Sequence, residues 1–402
     1  MRSSLGFHTI TLSKLLFDGE TRQLTEDFVK YNRKERCLQM YPAKNGNWVF
    51  KFHPTDMGIR WEICRDVWIN RGKMFFDIIN VTINPKILAG THDYITAATY
   101  QDMDIVITNF NNIMARISPL LKTFDCYELK RIDYCVNFDL YELAPGCSPE
   151  LVMNLIRRSG IPTYYKEWTE YDDISHRSKS RPSSFYLKSP SVNINCYSKY
   201  MQLQEQSRKN TDKGYPPVPQ STLEAAKNVI RFEVQCKYHK TYALSSRAKS
   251  SGDNSSNKSE GLLSHDSCID VINHYFKKIF MRGDWYTLQE AVRIVERQNY
   301  NSQKEKRLIH ALEFISQCRS LDKAKMAYQG EELLAFKRTL KDLSSLNINP
   351  VTIPREWGIK HIPNLLYAYF DKVQEELIRN QIEELRAECL NEQFERHKKA
   401  NK

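Results

Sequence analysis

The chain has 402 residues, room for two or three domains that each bury a core, and its 59 Lys plus Arg outnumber 48 Asp plus Glu, for a net charge of +11. So basic a chain, with 22 tyrosines, is a candidate partner of nucleic acid, although charge alone leaves a merely basic surface equally open. No apolar run approaches the roughly 20 residues that a membrane span needs, and the opening residues lack a signal-peptide core.

In chain order, Phe7–Leu12 reads as a first strand. Cys37–Tyr41 and Trp48–Phe52 read as a hairpin, because Asn45-Gly46 between two apolar runs is a strong turn signal. Met74–Ile83 is a further strand, stopped at Asn84-Pro85. Ile105, Ile107, Phe110, Ile113, Met114 and Ile117 recur at helical spacing and predict an amphipathic helix within 100–121, ending at Pro119. A strand over Arg131–Leu140 and a helix over Pro149–Ser159 follow, the helix closed by Gly160. Residues 163–190 are crowded with Tyr, Ser, Lys and Arg. They read as a solvated hairpin or as a loop offering cations and stacking aromatics to DNA, Arg181 and Lys188 among them. The second reading is favoured because the run leads directly into a strand that carries Tyr197.

After Lys240 the composition changes. Ser245–Ser259 is polar and of low complexity, and residues 244–262 read as a linker or loop. From 263 onward the pattern is helical, with capping boxes at Thr287-Leu-Gln-Glu290 and Ser302-Gln-Lys-Glu305, and a further helix over Glu331–Leu343. The last stretch, from about Pro363, predicts a long charged helix with Leu377, Ile378, Ile382, Leu385 and Leu390 as its apolar stripe, a solvated or self-associating element that makes a homodimer one expected state. The expected architecture is α+β: an antiparallel-sheet domain over 1–243, built from ferredoxin-like or RNA-recognition-like halves, then the linker, then an all-α domain over 263–402 for DNA binding or oligomerisation. The ten cysteines show no C-x-x-C pair, so no zinc or redox motif is read from them, and they suit reduced thiols in a cytoplasmic protein.

Three short segments share one design. Arg131–Leu140, Ser191–Tyr200 and Ile230–Lys237 all alternate apolar and polar residues, so each read as a strand presents one polar face. If they share a sheet, those faces gather Tyr197, Lys199, Asp133, Asp139, Glu233, Arg131 and Arg231. A phosphodiester resists attack because the nucleophile must approach an anion, so an enzyme needs positive charge on the non-bridging oxygens and an activated in-line nucleophile. Carboxylates such as Asp133 and Glu233 are suitable ligands for Mg²⁺ or Mn²⁺. A phenol has an unperturbed pKa near 10, and a neighbouring cation such as Lys199 would help ionise Tyr197. Each residue also has a plain reading as part of a solvated sheet face. The isolated histidines, His8 among them, offer no His-hydrophobic-His pair.

The succession Asn84-Pro-Lys-Ile-Leu-Ala-Gly90, Arg131-Ile-Asp133, Tyr197-x-Lys199 and Val229-Ile-Arg-Phe-Glu233 resembles the gene II/X replication initiators of filamentous phages over about residues 70–245. A looser likeness extends to the rolling-circle plasmid initiators that lack the histidine motif. The resemblance implies a metal-dependent endonuclease that nicks the plus strand at an origin, stays linked to the 5′ end through tyrosine, leaves a 3′-hydroxyl primer and later rejoins the strand. It implies Tyr197 as nucleophile, Lys199 as its cationic neighbour, Asp133 and Glu233 as metal ligands with Asp139 a weaker candidate, and Arg131 and Arg231 on carboxylates or phosphate. Single-stranded or hairpin origin DNA, a host helicase and a polymerase are the implied partners. Asn80 stands where phage relatives can carry an acid. Tyr200 is expected to face away from the site on the strand, or to offer a second nucleophile if the segment is helical. A conjugative relaxase with the same chemistry and a non-catalytic DNA-binding regulator are the competing readings.

Overall fold

The computed structural model describes residues 4–17, 19–31, 38–42, 48–54, 57–69, 74–91, 93–172, 177–179, 183–212, 214–250 and 261–400. Two passes of the chain follow the same plan. In the first, strand β1 (Ser4–Leu16) leads through a helix, Glu20–Tyr31, into a meander of β2 (Leu38–Pro42), β3 (Trp48–Phe52), β4 (Ile59–Ile69) and β5 (Met74–Ile83). In the second, β6 (Glu128–Asp139) leads through the helix Pro149–Ser159 to β7 (Lys166–Glu167), the small separate pair β8 (Glu170–Asp172) and β9 (Arg177–Lys179), then β10 (Ser184–Lys188), β11 (Val192–Ser198) and β12 (Val229–Cys236). Each meander returns so that its last strand pairs with the first: β5 with β1, and β12 with β6. The first strands, β1 and β6, pair at the centre. The result is a ten-stranded sheet in the order β2-β3-β4-β5-β1-β6-β12-β11-β10-β7, antiparallel throughout. The protein is thus a mixed fold with one large antiparallel sheet and many helices. The Lys44–Asn47 turn lies outside the described residues, while β2 and β3 pair around it from Leu38 with Phe52 to Pro42 with Trp48.

Two elements escape the periodicity. The helix Glu20–Tyr31 buries Leu24 and Phe28, its only buried positions, so the apolar signal is short. Strand β4 changes register between Cys64 and Val67, where Asp66 adopts φ 51° and donates its backbone N–H to Asp77 Oδ1 at 3.0 Å. A bulge of this kind breaks the two-residue alternation that marks a strand.

One face of the sheet is apolar and covered by helices. Phe28 stacks on Phe52 (4.8 Å) and tilts against Trp61 (5.8 Å). The predicted helix of 100–121 is Met103–Ile117, ending before Pro119, and Trp61 Nε1 reaches Met114 Sδ at 3.4 Å. The helix Pro149–Ser159 buries Val152, Met153, Leu155 and Ile156, is capped by Ser148, and stops at Gly160, whose φ of 90° favours glycine. The helix His265–Ile279, grouped by sequence with the C-terminal domain, instead covers the sheet centre. Its Phe276 meets Phe138 and Phe232 edge-on at 5.7 and 5.6 Å and stacks on Phe280 at 3.9 Å. Tyr134 anchors the chain just before it, donating its hydroxyl to Leu262 O at 2.8 Å. The sheet unit therefore comprises 1–139 and 148–281, and the second unit 140–147 and 282–402. Periodicity reveals that a helix has an apolar face, but not which surface that face covers.

The second unit holds the helices Leu288–Glu296, Ser302–Cys318, Leu321–Met326, Gly330–Ser345 and Leu365–Ala400, with a two-residue strand pair, Trp285–Tyr286 against His361–Ile362. Ala291, Val295, Leu308, Leu312, Leu343 and Ile348 form its core. The cap expected at Ser302 is made one residue earlier, where Asn301 Oδ1 accepts from Lys304 N at 2.8 Å. Thr287 heads its helix without a side-chain cap bond. Among the described residues no helix is long and apolar enough to cross a membrane. Because Phe276 is buried at the sheet centre, Phe276→Ala is expected to destabilise the sheet unit by about 3–5 kcal/mol. Urea unfolding followed by intrinsic fluorescence measures this, and a loss below about 1 kcal/mol would contradict the packing described.

Candidate active site

The pairing of β10, β11, β12, β6 and β1 stacks the polar positions into three cross-strand rows. One runs Ser184, Tyr197, Arg231, Asn137, Ser4; the next Tyr186, Asn195, Glu233, Cys135, Gly6; the third Lys188, Asn193, Gln235, Asp133, Thr9. The strands expected to share a sheet are adjacent, and Tyr197, Arg231, Glu233 and Asp133 lie on one face.

Arg231 is 1% exposed, so it does not present itself to a ligand. Its guanidinium donates to Asn137 Oδ1 at 2.7 Å and to the carbonyls of Ile95 and Thr96. Asn137 Nδ2 also donates to Ile95 O, at 2.8 Å. From the other side, buried Lys86 donates to Thr96 O at 3.0 Å and lies 3.1 Å from Asp93 Oδ2. The segment 93–99 is thereby drawn down onto the sheet, so close that a Cβ on Gly6 would sit 2.0 Å from Ala98 O. Arg231, expected on phosphate, is a clamp. The Asn84–Gly90 motif acts here through Lys86, in the short helix Pro85–Leu88.

Tyr197, 8% exposed, donates its hydroxyl to Glu233 Oε1 at 2.7 Å. Burial and then the negative charge of Glu233 hold the phenol well above its usual pKa. Burial alone would raise Glu233 too, but the positive charge around it and the Tyr197 hydroxyl outweigh that and keep it a carboxylate. The same Oε1 meets His8 Nδ1 at 3.2 Å. Sequence reasoning passed over His8 as isolated. In β1, Phe7 pairs with Tyr134 and Thr9 with Asp133, so His8 is an extra residue, a bulge that turns its ring onto the polar face. Its imidazole is 36% exposed. Desolvation lowers its pKa, with Arg231, Lys199 and Arg131 adding to the effect and Glu233 opposing it. Its Nδ1 also lies 3.4 Å from Thr9 Oγ1, so this ring nitrogen faces both a carboxylate and a hydroxyl.

Strand β11 ends at Ser198, two residues short of the expected limit. Ser198 Oγ accepts from Met201 N at 3.4 Å, and the helix Lys199–Asp212 begins. Lys199 is 4% exposed and bonded to Gln202 Oε1 at 2.9 Å. Burial first, then Arg231, push its pKa down to about 7. Its place in a first helical turn, where a cation faces the positive end of the dipole, acts in the same direction. Tyr200 belongs to the helix, not the strand; it packs on the apolar cluster of Ile95, Leu203, Ala226 and Val229, and its hydroxyl accepts from Gln204 Nε2 at 2.7 Å.

Asp133 is wholly buried, and Arg131 grips both its oxygens at 2.7 and 2.6 Å. Burial pushes its carboxyl up to about 7 against the pull of that guanidinium. Arg131 keeps 39% of its side chain exposed. Asp139, also buried, lies beyond the rows above, opposite Val229. Asn80 is a full register step away and accepts from Lys130 Nζ at 2.8 Å. The expected divalent ion finds no donor set in this arrangement: Asp133 is committed to Arg131 and Glu233 to Tyr197 and His8. Among the described residues no group of three or more His, Cys, Asp or Glu side chains could hold a metal. Lys188 is exposed at the β10 side of the face, with its Nζ 5.5 Å from the ring centres of both Trp168 and Tyr186. Arg181 lies outside the described residues.

No family model matches the chain, and no curated protein matches it. Among solved structures, the chain is similar to the rolling circle replication initiator protein from Geobacillus stearothermophilus, at 9% identity over 62% of this chain and 80% of that one, with a TM-score of 0.28. So loose a superposition supports no argument.

A lysine whose folded pKa is depressed binds fewer protons than in the unfolded chain, so stability rises with pH between the folded and unfolded values. For Lys199 that window opens near its folded value of about 7 and closes near 10.5. The advantage in stability of Lys199→Met over the wild type is therefore expected to be greatest near the lower limit and to shrink as pH rises through the window. Thermal melts of both proteins at either end measure the difference, and a pH-independent gap would contradict the buried, strained ammonium.

Proposed function

We propose that this chain is a DNA nicking-joining protein that starts rolling-circle replication, with Tyr197 as its nucleophile. The observation that carries the reading is the 2.7 Å bond from the Tyr197 hydroxyl to the Glu233 carboxylate, on a sheet face that also holds Lys199, Lys86 and Arg231 in buried positions. The sequence resemblance to the gene II/X initiators supports it independently, and so does the net charge of +11.

In this reading Glu233 takes the phenolic proton as Tyr197 Oη attacks the phosphorus of a single-stranded phosphodiester. The P–O3′ bond breaks in line, the 3′-oxygen leaves as a hydroxyl after gaining a proton, and a 5′-phosphotyrosine remains. One phosphodiester replaces another, so the released 3′-hydroxyl can reverse the step and return the proton to Tyr197. A phenol held above its usual pKa does not ionise at rest, so proton removal must accompany attack, which is the work of a general base. Glu233 is placed for it, and His8 meets the same carboxylate oxygen, Oε1, at 3.2 Å. Arg231 lies beside Tyr197, and with Lys199 it supplies positive charge for the non-bridging oxygens.

A DNA-binding regulator that never cleaves is the second reading, favoured by the 8% exposure of Tyr197. Incubation with single-stranded origin oligonucleotides, with Mg²⁺ or Mn²⁺ supplied, separates the two. The wild type is expected to form a denaturant-resistant protein–DNA adduct, Tyr197→Phe none, and Glu233→Gln an adduct formed about 10²–10⁴-fold more slowly. An undiminished adduct in Tyr197→Phe would remove Tyr197 from the reaction. Salt-sensitive binding without any adduct would favour the regulator.

A further inference from the structure

We propose that Trp168, Tyr186, Lys188 and Asn193 form a nucleobase subsite for single-stranded DNA, on the same sheet face as Tyr197. The choice of ligand rests on the nicking reading; the subsite itself does not depend on the chemistry. Asn193 lies four residues before Tyr197 on β11, about 13 Å along a strand rising roughly 3.3 Å per residue. A base held there belongs to a nucleotide close to the scissile phosphate.

Two rings bracket the place. Trp168 is 40% exposed, its backbone N–H donating to Tyr186 O at 2.8 Å. The Tyr186 ring is held by its hydroxyl, which accepts from Asn193 Nδ2 at 2.9 Å and donates to Gln235 Oε1 at 3.2 Å. The Lys188 ammonium stands 5.5 Å from both ring centres. Trp168 is the exposed ring and Tyr186 is half-buried; an exposed aromatic beside a cation is what a base and its phosphate meet on single-strand-binding surfaces.

Asn193 supplies the second, independent observation. It is 9% exposed, both hydrogen bonds of its Nδ2 are made, to Tyr186 and to Gln235 Oε1 at 3.3 Å, and its Oδ1 accepts from no described residue. A buried acceptor without a donor is unfavourable and uncommon. Every DNA base carries an N–H able to supply one, thymine through N3. The nearby carboxylates are paired, Asp133 with Arg131 and Glu167 with Arg157, which leaves the Lys188 ammonium to meet a phosphate.

The test uses the full chain carrying Tyr197→Phe, so that no cleavage intervenes, and fluorescence anisotropy with an end-labelled oligothymidylate of about 20 nucleotides and an abasic oligomer of equal length. Adding Trp168→Ala is expected to weaken oligothymidylate binding by about 5- to 100-fold and to leave the abasic oligomer unchanged, while Trp168→Phe, which keeps a ring, retains most of the affinity. Lys188→Ala is expected to weaken both oligomers. Equal losses for Trp168→Ala on the two oligomers, or no loss on either, would overturn the subsite. An adduct in the wild type together with that result leaves the nicking reading standing; a base-dependent loss without any adduct leaves the subsite and removes the chemistry.

Discussion

Arg231 is the group on which the polar face depends. A guanidinium at 1% exposure is tolerable only when its donors are met, because a buried charge left unpaired costs about 3–5 kcal/mol. Here the fork ties two other pieces of chain to β12: Asn137 on the neighbouring strand and the carbonyls of Ile95 and Thr96 in the connection after β5. A lysine could not reproduce this, since its point charge lacks the planar geometry that meets several acceptors at once. The same charge lies beside Tyr197 and Glu233, so one residue both fixes the covering segment and sets the potential in which the tyrosine and its carboxylate sit.

That potential is unbalanced toward positive. Lys86, Lys199 and Arg231 are each below 10% exposed, while of the buried carboxylates Glu233 lies among them and Asp133 is paired with Arg131. Burial and mutual repulsion lower both lysines, the signature of a site that an anion would relax. The nicking reading proposed above supplies one, a phosphodiester, which would lie against the charges whose burial costs the fold most.

The three strands that carry the face were legible in the sequence because their alternation is regular, and β6 and β12 match their expected limits within a few residues. Strand β11 was over-extended because Lys199 and Tyr200 continue the alternation in letters, whereas Ser198 caps a helix and ends the strand in space. His8 could not be found by pattern, since a bulge hides its direction. Arg231 and Arg131 look alike beside their acids, yet one is buried under a loop distant in sequence and the other is partly open. Tyr186 carried no signal beyond its place in an aromatic-rich stretch. The ownership of the helix His265–Ile279 was likewise a matter of tertiary contact, which no local period encodes.

The bulge at His8 has a consequence for how such a protein varies over time. Phe7 and Thr9 pair with the adjacent residues Tyr134 and Asp133, so a chain lacking residue 8 would close the ladder at this point, leaving the second irregularity of the pair, between Thr11 and Leu12. The imidazole beside Glu233 therefore depends on chain length as well as on the choice of side chain. A relative could lose it by replacement, or by a one-position gap in its first strand. Substitution patterns alone would overlook the gap, whereas a length polymorphism between Gly6 and Thr9 would record it.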